Sequence, residues 1–132
     1  ITVGAYDDYS YMVSHDKKRK NQNGYRKNQG IKYYSGRGPT ACCIVKPELV
    51  VAGSDMIACA NRKNSYSIKS GTSMAAPIVS GAIARYMQEN NENISPKYVK
   101  KRLKSFCKKI DVPYNQQGWG VLDVYGFIKN NN

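Results

Sequence analysis

The stretch 70-SGTSMAAPIVSGAIA-84 limits the fold more than any other part of the chain. From Pro77 its spacing turns helical. Val79, Ile83, Tyr86 and Met87 fall at i, i+4, i+7 and i+8, which is one face of a helix. The other sides carry Ala75, Ala76, Gly81, Ala82 and Ala84. A helix this slim on every side is expected to lie buried between layers, so the rest of the chain must supply a sheet and further helices.

The flanking segments can do so. Residues 1–6 read as a short buried strand and 31–34 as a brief one. Residues 48–53, entered from Pro47, and 55–60 read as buried strands, while 65–70 alternates as a half-buried strand does. Ser95 is a good N-cap, with Pro96 at the first helical position. Val99, Leu103, Phe106 and Ile110 then recur on one face. A break at Pro113 precedes a short helix starting near Asp123. Residues 7–30 are polar and aperiodic and read as a surface excursion, with a hairpin at Asn23-Gly24. Strand-then-helix order with buried runs predicts an α/β layered fold in one domain.

The opening stretch also places a hydroxyl where chemistry is available. A serine needs a base before it attacks. At a helix N-terminus, free N–H groups and the helix dipole favour a developing oxyanion. Gly71 permits close approach of a substrate backbone, and Ala75 and Ala76 keep the wall beside Ser73 low. The same residue types also serve as plain helix caps, and the stretch alone leaves both readings open.

The net charge is +12, from 21 Lys and Arg against 9 Asp and Glu. Basic residues cluster at 16–20, at Arg26-Lys27 and at 97–109, the last on the outer face of the predicted helix. No nucleic-acid-binding motif organises them, so a solvated basic surface is the expectation and nucleic acid is not an expected partner. No apolar run approaches the ~20 residues of a membrane span. Cys42, Cys43, Cys59 and Cys107 show no metal-ligand spacing and no disulfide framework, so buried or reduced thiols are expected and no metal site is assigned.

The segment 71-GTSMAAPIVSG-81 resembles the nucleophile segment of subtilisin-like serine proteases, Gly-Thr-Ser-Met-Ala-x-Pro-x-Val-x-Gly. Its flanks agree in order. 34-YSGRGPT-40 with 46-KPELVVAG-53 resembles the family's Ser-x-x-Gly-Pro loop and Lys-Pro-Asp-Val-x-Ala-Pro-Gly strand. 1-ITVGAYD-7 resembles the preceding strand, and 118-GWGVLDV-124 the segment near the domain's end. The resemblance implies a three-layer fold, a mostly parallel sheet flanked by helices, incomplete in this chain. It implies that Ser73 is the nucleophile of a peptide-hydrolysing triad and that its backbone N–H is an oxyanion donor. Thr72 would support that site, Ser70 and Gly71 would line the groove, and Met74 would pack on the leaving-group side. Subtilisin itself exemplifies these roles.

The partners of that serine are missing. Asp7, Asp8, Asp16, Asp55, Asp111 and Asp123 do not begin the family's Asp-Ser/Thr-Gly motif. His15, the single histidine, lacks the His-Gly-Thr context and reads as a surface residue. Residues 1–132 therefore resemble the C-terminal portion of a catalytic domain, with a basic insertion at about 8–30. The expected partners are a polypeptide substrate and the upstream portion of the same domain, with self-association of the fragment in its absence. No cofactor is expected in this chain. The resemblance allows calcium in the full-length domain, and Glu48 stands where some members place an acidic ligand, but it reads as an exposed charge beside Pro47. The missing Pro before Gly53 is expected to loosen that turn. The resemblance favours a secreted or cell-envelope location; the unpatterned cysteines leave a cytoplasmic one open. A pseudoprotease or scaffold with the same fold is the alternative function, and a basic module binding anionic polymers through 16–27 and 97–109 is a third.

Overall fold

A computed structural model describes residues 1–7, 30–90 and 94–129. The basic cluster at 16–20, His15 and the expected Asn23-Gly24 hairpin lie outside the described residues.

The core is a mixed sheet whose central strands are parallel. β1 (Val3–Asp7) pairs in parallel with β3 (Leu49–Ala52), which pairs in parallel with β7 (Val121–Leu122). Antiparallel strands flank them: β2 (Gly30–Ile31) on β1 and β6 (Cys107–Lys108) on β7, giving the order β2-β1-β3-β7-β6. β4 (Met56–Cys59) and β5 (Tyr66–Lys69) form a separate antiparallel hairpin. The expected strand at 31–34 is reduced to Gly30–Ile31.

One helix organises the packing. α1 (Thr72–Asn90) lies on β1 and β3. α2 (Pro96–Ser105) starts where its cap predicts: the Ser95 hydroxyl accepts from the Tyr98 N–H at 3.2 Å. A single turn, α3 (Tyr114–Gln117), was not expected after Pro113. α4 (Val124–Lys129) begins beside Asp123, whose carboxylate accepts from the Gly126 N–H at 2.9 Å. Leu49 and Val51 point from β3 into a cluster with Ala75, Val79, Ala82 and Tyr86 of α1, Val99 and Leu103 of α2, and Phe127 of α4. Burying each large side chain here contributes about 1.5–3 kcal/mol. On the other face of the sheet, fully buried Val50 sits against Gly4, Pro47 and the 32–47 loop.

The helix is covered on one side only. Val79 and Tyr86 are buried as the spacing predicts, but Met87 is 42% exposed. Ala76, Pro77, Ser80, Gly81 and Ala84 face solvent. Its small faces therefore lie bare instead of between layers. β1 has an open stretch too: β2 pairs only with Tyr6 and Asp7, so among the described residues no strand covers Val3 on that edge.

Several expectations are corrected. β4 is not a buried strand, and β5 is not half-buried on its apolar side. Ile57 and Ile68, paired across the hairpin, are 70% and 63% exposed. Of the expectation of buried or reduced thiols, the burial half fails at Cys42, Cys43 and Cys59, which are exposed, while all four thiols are free. The basic run of α2 is not wholly outward. Arg102 is buried, stacked on Tyr86 at 4.2 Å and donating to the Phe127 carbonyl at 2.8 Å. A buried guanidinium keeps its charge, so leaving its donors unused is costly, and this carbonyl takes two of them.

Candidate active site

Ser73 is placed by the end of one strand and the start of one helix. β3 delivers Gly53, whose carbonyl accepts the Gly71 N–H at 2.8 Å. The Gly53 N–H in turn bonds the Tyr6 carbonyl at 3.1 Å, and the Tyr34 hydroxyl donates to the Gly53 carbonyl at 3.0 Å. The turn lacking the usual proline is thus held from three sides rather than loosened. Glycine is required here: a Cβ on Gly53 would lie 2.8 Å from the Ala5 Cβ and 3.0 Å from the Gly71 carbonyl. Across the hairpin base, Ser70 Oγ accepts the Asp55 N–H at 2.8 Å and lies 3.3 Å from an Asp55 carboxylate oxygen. This latch fixes the residue before Gly71, and nothing in the sequence marked Asp55 for it.

The helix then begins at Thr72, five residues before the spacing signal at Pro77. Met74 and Ala75 donate their N–H groups to the Gly71 carbonyl at 3.0 and 3.3 Å. The N–H groups of Thr72 and Ser73 have no partner among the described residues, as the first turn of a helix dictates. Ser73 is exposed, and its hydroxyl accepts no backbone N–H, so it is not used as a cap. Pro77 cannot donate to the Ser73 carbonyl, which leaves the strand-to-helix turn less constrained on that side. The space above Gly71 is open: a Cβ there would meet nothing nearer than Met74 Sδ at 3.6 Å.

The structure brings Ser70, Gly71, Thr72, Ser73 and Met74 together at one corner, between two pockets. One, of about 680 Å³, is lined by Met74 and the β4–β5 hairpin. The other, of about 360 Å³, runs from Thr72 to Gly36–Thr40, Lys46 and Pro47. An exposed hydroxyl with free N–H groups and open clefts can attack a carbonyl and hold the resulting oxyanion, provided a base is added.

The model of the subtilase family matches residues 1–120. The chain belongs to the subtilase family. It is 33% identical over 139 aligned positions to the serine protease AprX of Bacillus subtilis (strain 168), covering 94% of this chain and 28% of that protein. A subtilisin-like protease of Arabidopsis thaliana, SBT3.16, is 31% identical over 80 positions, covering 59% of this chain and 10% of that one. Among solved structures, the Clostridium perfringens CspB protease superposes with a TM-score of 0.68 at 24% identity, over 98% of this chain and 27% of its own. Fervidolysin from Fervidobacterium pennivorans gives 0.65 at 18% identity, over 97% of this chain and 18% of its own. These likenesses establish a subtilisin-like α/β fold. The chain spans little more than a quarter of the bacterial relative's length.

Calcium, which the family allows, does not fit at Glu48. Glu48 is buried rather than exposed. Its carboxylate accepts from Thr2 N–H at 2.6 Å, Lys46 Nζ at 2.7 Å and Lys100 Nζ at 3.0 Å. Burial alone would raise its pKa, but the bonds from Lys46, Thr2 and Lys100 outweigh it and hold the carboxyl at about 2. Two ammonium groups already fill the place a cation would take, and no described group of three His, Cys, Asp or Glu residues could hold a metal. No described helix is long and apolar enough to cross a membrane.

Proposed function

We propose that this chain is the C-terminal, nucleophile-bearing portion of a serine endopeptidase. Ser73 attacks the scissile carbonyl, and its own backbone N–H is one oxyanion donor. Thr72 supports that donor, Gly71 and Ser70 border the groove, and Met74 packs on the leaving-group side. The observation that carries this reading is the exposed, unbonded Ser73 hydroxyl beside free N–H groups at the start of α1.

The Asp and His of the triad come from the upstream portion of the same domain. The bare small-residue face of α1 and the open edge of β1 are where that portion docks. Alone, the chain cleaves no peptide bond, because only weak catalysis survives loss of the base.

Peptidase assays on the complete domain test this. Cleavage of a quenched fluorescent peptide should be lost in Ser73→Ala, and the isolated chain should cleave nothing. A complete domain that is folded and inactive would instead make this a pseudoprotease.

A further inference from the structure

The pocket beside Met74 carries charge of one sign. Met56, Ala58, Ser67 and Lys69 line it from the strands of the hairpin, Arg62 from the connecting turn, and Met74 from the residue after Ser73. No carboxylate lines its roughly 680 Å³. Asp55, next to Met56 in sequence, does not line the pocket and is engaged by Ser70.

Among the described residues, neither Arg62 nor Lys69 has an ion-pair partner. Lys46, Lys100, Lys108 and Lys129 each sit on a carboxylate at 2.7–3.2 Å. A guanidinium offers a carboxylate two parallel bonds, and an ammonium adds a point charge. The methionine walls suit the aliphatic stem of a glutamate. Met74, which lines this pocket, directly follows Ser73 in the chain.

We propose that this pocket selects acidic side chains in the polypeptide presented to Ser73. As a statement about substrates it rests on Ser73 being the nucleophile. As a statement about charge it concerns binding alone and is measured without turnover.

The test titrates fluorescein-labelled peptides into the full chain carrying Ser73→Ala, followed by anisotropy. The peptides are identical except that one pair of positions holds Glu, Gln or Lys. The Glu peptide should bind about tenfold more tightly than the Lys peptide, a modest charge effect. Its advantage should vanish near 1 M salt, where the Debye length falls to about 3 Å. Arg62→Glu with Lys69→Glu should reverse the order, and Arg62→Gln with Lys69→Gln should flatten it, with circular dichroism reporting the retained fold.

The net charge of +12 calls for a control. Lys97→Glu, Lys101→Glu and Lys104→Glu change exposed charges of α2 that do not line the pocket. The Glu preference should survive them. Equal loss in both sets of variants, equal binding of the three peptides, or no binding overturns the proposal. Peptide cleavage by the complete domain is a separate readout, so failure of Ser73 as nucleophile and failure of the acidic preference are told apart.

Discussion

Gly71 donates its backbone N–H to the Gly53 carbonyl at 2.8 Å, so the end of β3 sets the position of the turn that carries Ser73. The strand supplies rigidity and the helix start supplies free donors. Neither alone would aim the hydroxyl.

Gly53→Ala should therefore damage both stability and the site. Its Cβ would press on Ala5, on the Gly71 carbonyl and on the Ala75 Cβ at 3.3 Å, mostly backbone or short side chains that cannot swing away. Overpacking of this kind costs about 1–3 kcal/mol. Urea melts should show that loss, and hydrogen exchange should quicken at Gly71, Met74 and Ala75, whose N–H groups are bonded through this turn. Unchanged values in both would mean that the β3–turn contact does not hold Ser73.

Glu48 predicts an acid-sensitive junction. Its folded pKa of about 2 lies below the ordinary 4.5, so its contribution is whole above about pH 4.5 and fades as pH falls toward 2. Wild type should lose stability across that window, and Glu48→Gln should lose less there. At neutral pH, Glu48→Gln should cost about 1–3 kcal/mol, since it leaves Lys46 and Lys100 without their shared carboxylate. Thermal melts from pH 2 to 7 check both statements. Added calcium should not restore the wild-type value, because the groups around this site are cations.

The thiols should fall into two classes. Cys42, Cys43 and Cys59 are exposed. Burial pushes the Cys107 thiol up to about 12, and its Sγ lies 3.1 Å from the Leu103 carbonyl. Iodoacetamide at neutral pH should modify the first three readily and Cys107 only after unfolding, as read by mass spectrometry. Rapid labelling of native Cys107 would contradict its shielding in β6, paired beside β7.

The sequence was most legible where the signal is local. Ser95-Pro96 marked the start of α2, Asp123 that of α4, and the run 71–81 identified the family. It was least legible where partners are far apart. Nothing near Glu48 announces Lys100, 52 residues on, so a buried hub read as a surface charge. Arg102 was hidden in a lysine-rich run because its aromatic neighbours Tyr86 and Phe127 come from other helices. Ile57 read as buried because its run is apolar, and Ile68 as half-buried because alternation reports two faces without saying which is covered. Arg62, Lys69 and Met74 share a pocket only through the hairpin's pairing, which spacing alone did not reveal.

The most direct test of the account is fluorophosphonate labelling, because such a probe reacts with a serine only when a base activates it. The complete domain should carry a single adduct on Ser73, absent in Ser73→Ala, and the isolated 132-residue chain should carry none. A robust adduct on Ser73 of the isolated chain, or an adduct on a different serine of the complete domain, would contradict the claim that Ser73 is a nucleophile whose base lies upstream.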